Sequence, residues 1–167
     1  MREAGHTFLA RMGKTKLRPG GIDATNWLLE KAKIQPSSKV LEVACNMGTT
    51  MILVAERYGC EVVGIDLDEA ALEKARENIK KKKLEDKLSV VSGSAFALPF
   101  EDASFDVVIN EAMLTMLIGE DKERALKEYS RVLKPGGVLL THDVVFRRCS
   151  TSLWPGFPRR STSTSSR

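Results

Sequence analysis

"VLEVACNMGTT", Val40 to Thr50, is the stretch that decides the fold. It opens as a short apolar strand broken only by Glu42, then turns tightly through "NMG". From Thr49 a helix begins, with Met51, Ile52, Val54 and Ala55 at helical spacing and a stop at Gly59. Strand, tight loop and helix start form the usual cradle of a nucleotide cofactor. The helix start contributes unbonded N–H groups and the positive end of a dipole. Such loops are ordinarily dense in glycine, yet this one holds only Gly48.

The same alternation runs outward along the chain. "KVLEVA", "CEVVGID", "KLSVVSG", "FDVVINEA" and "VLLTHDVVF" read as five apolar strands. "IDATNWLLEKAKI", "TTMILVAERYG", "DEAALEKARENIKKKKL" and "GEDKERALKEYSRVLKPGG" read as helices. Ile22, Trp27, Leu28 and Ala32 form the expected apolar face of the first helix, and Asp68 the expected cap of the third. Near-continuously apolar strands alternating with helices imply an α/β fold, a doubly wound and mainly parallel sheet covered on both faces. Its ligands sit beyond the carboxyl ends of the strands.

Composition narrows the classes. The 167 residues suit one domain, and 43% hydrophobic content supplies a core. No apolar run approaches the ~20 residues of a membrane span, and the first residues lack the apolar segment of a signal peptide. Cys45, Cys60 and Cys149 are odd in number and without C-x-x-C spacing, so no metal site or disulfide framework is expected and a cytoplasmic setting fits. The formal charge of +4 is concentrated at the end: residues 147–167 carry five of the 26 basic residues and no acid. The remaining 21 basic and 22 acidic residues nearly balance, which argues against a nucleic-acid partner. Residues 1–20 read as a polar, turn-rich lid, 21–146 as the domain, and 147–167 as an irregular basic Ser/Thr-rich tail.

Two acids mark the candidate site. Glu42, inside the first strand, suits a cationic amino group and would repel a pyrophosphate. Asp66 closes the second strand 18 residues after Gly48, where an acid meets ribose hydroxyls. Cys45 reads as a packing residue, and His142 as structural, with a catalytic base as the alternative. No catalytic residue is assigned.

The blocks "VLEVACNMGTT", "GIDLDEAAL", "VSGSAFALPFEDASFDVVIN" and "RVLKPGGVLL" resemble, in order and spacing, a class I S-adenosylmethionine-dependent methyltransferase of the small-molecule type, over about residues 21–146. The resemblance implies a Rossmann-like sheet of order 3-2-1-4-5 and S-adenosyl-L-methionine as cofactor. It implies that Glu42 and the backbone of Ala44, Cys45, Asn46 and Gly48 surround the cofactor's methionine end. Asp66 would accept the ribose hydroxyls, Leu67 would pack on the adenine, and Ser94 and Ala95 would face the adenine edge. Asn110 would approach the sulfonium through its carbonyl.

Two departures stand out. Ala44 and Asn46 occupy positions where the family usually has glycine; alanine is expected in a β-type backbone and asparagine at positive φ. Ser94 replaces the usual aspartate. The family also continues past the fifth strand with a helix and two more strands, whereas no strand pattern follows Phe146 here. The expectation is therefore a sheet lacking the last two strands, with self-association along the fifth strand. The expected function is methyl transfer to an unidentified small molecule. The rivals are a non-catalytic cofactor-binding or interaction protein and a nicotinamide-binding Rossmann domain.

Overall fold

The computed structural model describes residues 21–143. The expected lid over 1–20 and the tail over 147–167 lie outside the described residues, as do 144–146. The elements are α1 (Gly21–Lys31), β1 (Lys39–Val43), α2 (Thr49–Tyr58), β2 (Glu61–Asp66) and α3 (Glu69–Lys82), then β3 (Leu88–Ser92), β4 (Phe105–Glu111), a 3₁₀ turn (Leu114–Met116), α4 (Glu120–Val132) and β5 (Leu133–His142). The strands form one sheet in the order β3-β2-β1-β4-β5, and every adjacent pair is parallel. This is the Rossmann-like order that the motifs imply.

Each sheet face has its own core. Val40, Val62, Val107 and Ile109 pack with Leu29, Met51, Val54 and Leu72 on the side of α1, α2 and α3. Leu41, Val43, Ile65 and Val108 pack with Ala125, Tyr129 and Val132 on the side of α4. Burial on both sides is why the central strands read as continuous apolar runs.

Local chemistry sets the helix ends. Asp68 accepts from the N–H groups of Ala70 and Ala71, capping α3 as expected. Gly59 at φ 69° closes α2 by donating to the Ala55 carbonyl. Lys80, Lys81 and Lys82 sit in the last turn of α3, where cations offset the dipole.

Two expectations are corrected. The buried positions of α1 are Thr25 and Leu29, with Ala32 just beyond; Trp27 is 60% exposed, with the Lys31 ammonium 5.5 Å from its ring centre. Counting apolar residues misplaced this face because Thr25 is buried through a hydroxyl that has a partner, Glu111. The fourth helix ends at Val132, not in the "KPGG" run, which is absorbed into β5. Pro135 has no N–H for the ladder, Gly136 turns at φ 80°, and pairing with β4 slips between Phe105 and Val107.

The "LPFEDAS" segment, residues 98–104, is neither helix nor strand and is tied to α4 by one side chain. The Arg131 guanidinium donates to the carbonyls of Leu98 and Phe100 and to the carboxylates of Asp102 and Glu128. Glu128 in turn accepts from the Leu98 N–H at 2.7 Å. This clamp fixes the loop that precedes β4.

Candidate functional site

The carboxyl ends of β1, β2 and β4 converge where the loops after them meet. After Val43 the chain reverses at once: Ala44 lies at φ 59°, Asn46 at φ 49° and Gly48 at φ 74°. Asn46 adopts the expected left-handed backbone. Ala44 does not keep the expected β-type conformation. The turn carries the Cys45 N–H to the Ile65 carbonyl on β2. A left-handed alanine costs on the order of 1–2 kcal/mol, which the surrounding bonds must offset.

Those bonds are specific. The Asn46 side chain accepts from the Met47 N–H at 2.7 Å, and the Met47 carbonyl accepts from Asn78 Nδ2 on α3 at 3.1 Å. Asparagine thus tolerates positive φ and, unlike glycine, braces the loop with its side chain. Gly48 is needed for space as well as for φ; a Cβ there would lie 3.3 Å from the Ala75 Cβ.

Asp66 is the hinge between the two halves of the site. Its Oδ2 accepts from the Asn46 N–H at 2.8 Å and its Oδ1 from the Asp68 N–H at 3.0 Å. Each oxygen keeps a lone pair for a hydroxyl. The next residue, Leu67, is 71% exposed, an unusual position for a large apolar side chain and a ready platform for an apolar ring face. Ser94 Oγ accepts from the Phe96 N–H at 3.2 Å, so the hydroxyl shapes its own loop, and Ala95 is buried beside it.

Glu42 is buried on β1, facing the side of α1 and α2, with Gly64 and Ile109 as its strand neighbours. Gly64 leaves room for the loop from below: a Cβ there would lie 2.7 Å from Cys45 Sγ and 2.9 Å from Met51 Sδ. The Cys45 thiol therefore points into the core. Burial first, then the charges of Glu42 and Asp66, push it far above the ordinary thiol range, so it is no nucleophile. Its N–H ties the loop to β2, and its carbonyl accepts from the Gly48 N–H within the loop.

Asn110 is fully buried at the end of β4. Its Nδ2 donates to the Val43 carbonyl and contacts Met113 Sδ, while Oδ1 has no hydrogen-bond partner among the described residues. A buried acceptor left this way is costly unless something donates to it.

One group of residues was not visible in the sequence as a site. Glu111, next to Asn110, accepts from Thr25 Oγ1 on α1 at 2.7 Å and from Thr50 Oγ1 on α2 at 2.8 Å, and lies 3.4 Å from His142 Nδ1 on β5. The signals were separate ones, an acid closing an apolar strand and a histidine on the fifth strand. Threonines in helices are too common to announce its partners.

These features fit an adenosyl cofactor with a cationic end better than a pyrophosphate. Glu42 is buried near the end of β1, Asp66 closes β2 and Glu111 closes β4, and a diphosphate bound at these strand ends would meet the repulsion of their carboxylates. Among the described residues no cluster of His, Cys, Asp or Glu could hold a metal ion, and no helix is long and apolar enough to cross a membrane.

A doubly wound domain with an acid-lined cofactor loop is the class that fold and site define. Residues 41–141 match the family model described as "Methyltransferase domain". The chain belongs to that family. It is 59% identical over 143 residues to an uncharacterized protein of Haemophilus influenzae, covering 86% of this chain and 57% of that protein. It is 33% identical over 153 residues to Methyltransferase GfsG of Streptomyces halstedii, covering 89% and 54%. Among solved structures, the [4+2]-cyclase SpnF superposes with a TM-score of 0.72 at 26% identity, over 80% of this chain and 48% of that one. The chain thus spans about half the length of the relatives it matches. S-adenosyl-L-methionine is the cofactor of this family.

Proposed function

We propose that the chain binds S-adenosyl-L-methionine at the ends of β1, β2 and β4 and directs its methyl group to a small-molecule acceptor. The observation that carries this reading is the Asp66 carboxylate, fixed by the Asn46 and Asp68 N–H groups at the junction of the two loops. In this reading Asp66 holds the ribose hydroxyls and Leu67 covers one face of the adenine. Ser94 and Ala95 border the adenine edge, and Asn110 lies under the reacting centre. Glu42 and the Ala44, Cys45, Asn46 and Gly48 backbone enclose the methionine end. When bound, the cofactor supplies an electrophilic methyl on a sulfonium. The chain's part is alignment and exclusion of water, which together lower the barrier of a displacement most.

A methyltransferase such as GfsG among the relatives supports the reaction class; the acceptor here is a small molecule of unspecified structure. A cytoplasmic setting rests on the cysteine usage alone. β5 pairs on one side only among the described residues, which supports self-association along that edge, tested by light scattering over a concentration series. A second reading has one observation in its favour: SpnF, of similar fold, is described as a [4+2]-cyclase, so fold does not fix the chemistry. Calorimetry with S-adenosylhomocysteine and with NAD tests the binding site; affinity for NAD alone would overturn it. Release of S-adenosylhomocysteine from labelled cofactor and a metabolite extract separates methyl transfer from the cyclase-like alternative.

A further inference from the structure

We infer that His142 is the proton acceptor of this site and that Glu111 is its positioning residue. The inference rests on the methyl-transfer reading above and adds to it the group that takes the acceptor's proton.

The network is built from four separate elements. Glu111 closes β4, His142 closes β5 opposite it, Thr25 comes from α1 and Thr50 from the first turn of α2. The Glu111 side chain is 6% exposed and accepts one threonine hydroxyl on each oxygen. A carboxylate so held cannot rotate. His142 Nδ1 lies 3.4 Å from Oε1, and in the inferred arrangement Nδ1 carries the hydrogen and the carboxylate oxygen accepts it. The contact is long, as such bonds often are before a ligand is bound. With Nδ1–H turned to the carboxylate, Nε2 is left with its lone pair on the opposite side of the ring, and the side chain keeps 14% exposure. This is the arrangement that makes an imidazole a general base: a buried carboxylate fixes tautomer and orientation, and the far nitrogen works.

Position supports the assignment. Asn110 and Glu111 are consecutive, and His142 is the direct β5 neighbour of Glu111. Glu111 and His142 project from the sheet face of Ile109, α1 and α2, and the Asn110 side chain from the other face toward Met113, while all three lie at the carboxyl ends of their strands, where ligands bind in such sheets.

The step balances. The acceptor X–H attacks the methyl carbon as the X–C bond forms and the S–C bond breaks. The X–H proton passes to His142 Nε2, and the bond electrons of S–C remain on sulfur as a neutral thioether. The imidazolium is then stabilised by Glu111.

The test combines two readouts. ¹⁵N NMR of the free protein should show His142 as the Nδ1–H tautomer at neutral pH, and Glu111→Gln should shift the ring toward a tautomer mixture. With a metabolite extract as acceptor pool, His142→Ala should slow S-adenosylhomocysteine release ~100-fold or more, and added imidazole should restore part of it. Its affinity for S-adenosylhomocysteine should stay within about threefold, by analogy with a base that does not hold cofactor. An Nε2–H tautomer, or turnover of His142→Ala equal to wild type, would overturn the inference. If wild type binds S-adenosylhomocysteine but releases none from the pool, the methyl-transfer reading fails, while the NMR arm still decides whether Glu111 orients His142.

Discussion

Replacing Asp66 separates what the carboxylate does for the loop from what it does for a ligand. In the folded protein Oδ2 accepts from Asn46 and Oδ1 from Asp68. A hydrogen bond to a charged group contributes about 1.5–3 kcal/mol. Both N–H groups lie near solvent and can be rehydrated, so the two losses together should cost only about 1–3 kcal/mol of stability in Asp66→Ala. The ribose contacts are lost in addition, about 1.5–3 kcal/mol of binding, or roughly 10- to 150-fold in Kd. Asp66→Asn is the sharper probe. Its amide keeps one acceptor oxygen but turns an NH₂ toward the other backbone N–H, so stability should fall between wild type and alanine while affinity falls nearly as far as in alanine. Thermal unfolding measures the first quantity and calorimetry with S-adenosylhomocysteine the second. A Kd within twofold of wild type in a variant with lowered Tm would refute the reasoning, leaving Asp66 as a brace of the loop only.

Three further outcomes are expected. Asn46→Val should cost about 1–3 kcal/mol, because it puts a β-branched residue at φ 49° and removes the bond to Met47 N–H; Asn46→Gly should cost less, and chemical denaturation ranks the two. The Arg131 guanidinium holds the Glu128 carboxyl below its ordinary value of 4.5. Since that folded-state pKa is depressed, the stabilisation is present above about pH 4.5 and is lost as pH falls through the folded value. Acid unfolding should show this contribution in wild type and lose it in Arg131→Met. Cys45 and Cys60 are buried with thiols raised above the ordinary range, so iodoacetamide at neutral pH should leave both unmodified in the native protein and label both in denaturant, read by mass spectrometry.

The sequence by itself determined the α/β class and the places of strands and helices, and it singled out the two landmarks of the proposed site, the Gly48 loop and Asp66. These are local properties: an apolar run of strand length, a residue able to take positive φ, an acid at a strand end. The family blocks then fixed the strand order 3-2-1-4-5. Asn46 at positive φ was legible because few side chains tolerate that backbone. Ala44 at φ 59° was not, since the demand comes from the Ile65 carbonyl on another strand. Trp27 misled because an apolar count sees no difference between a buried and an exposed indole, whereas Thr25 is buried through its bond to a residue 86 positions away. The gathering of Thr25, Thr50, Glu111 and His142 was decided by tertiary structure alone. Four polar residues from α1, α2, β4 and β5 acquire a common purpose only when a parallel sheet brings its carboxyl ends together, and no spacing along the chain encodes that meeting.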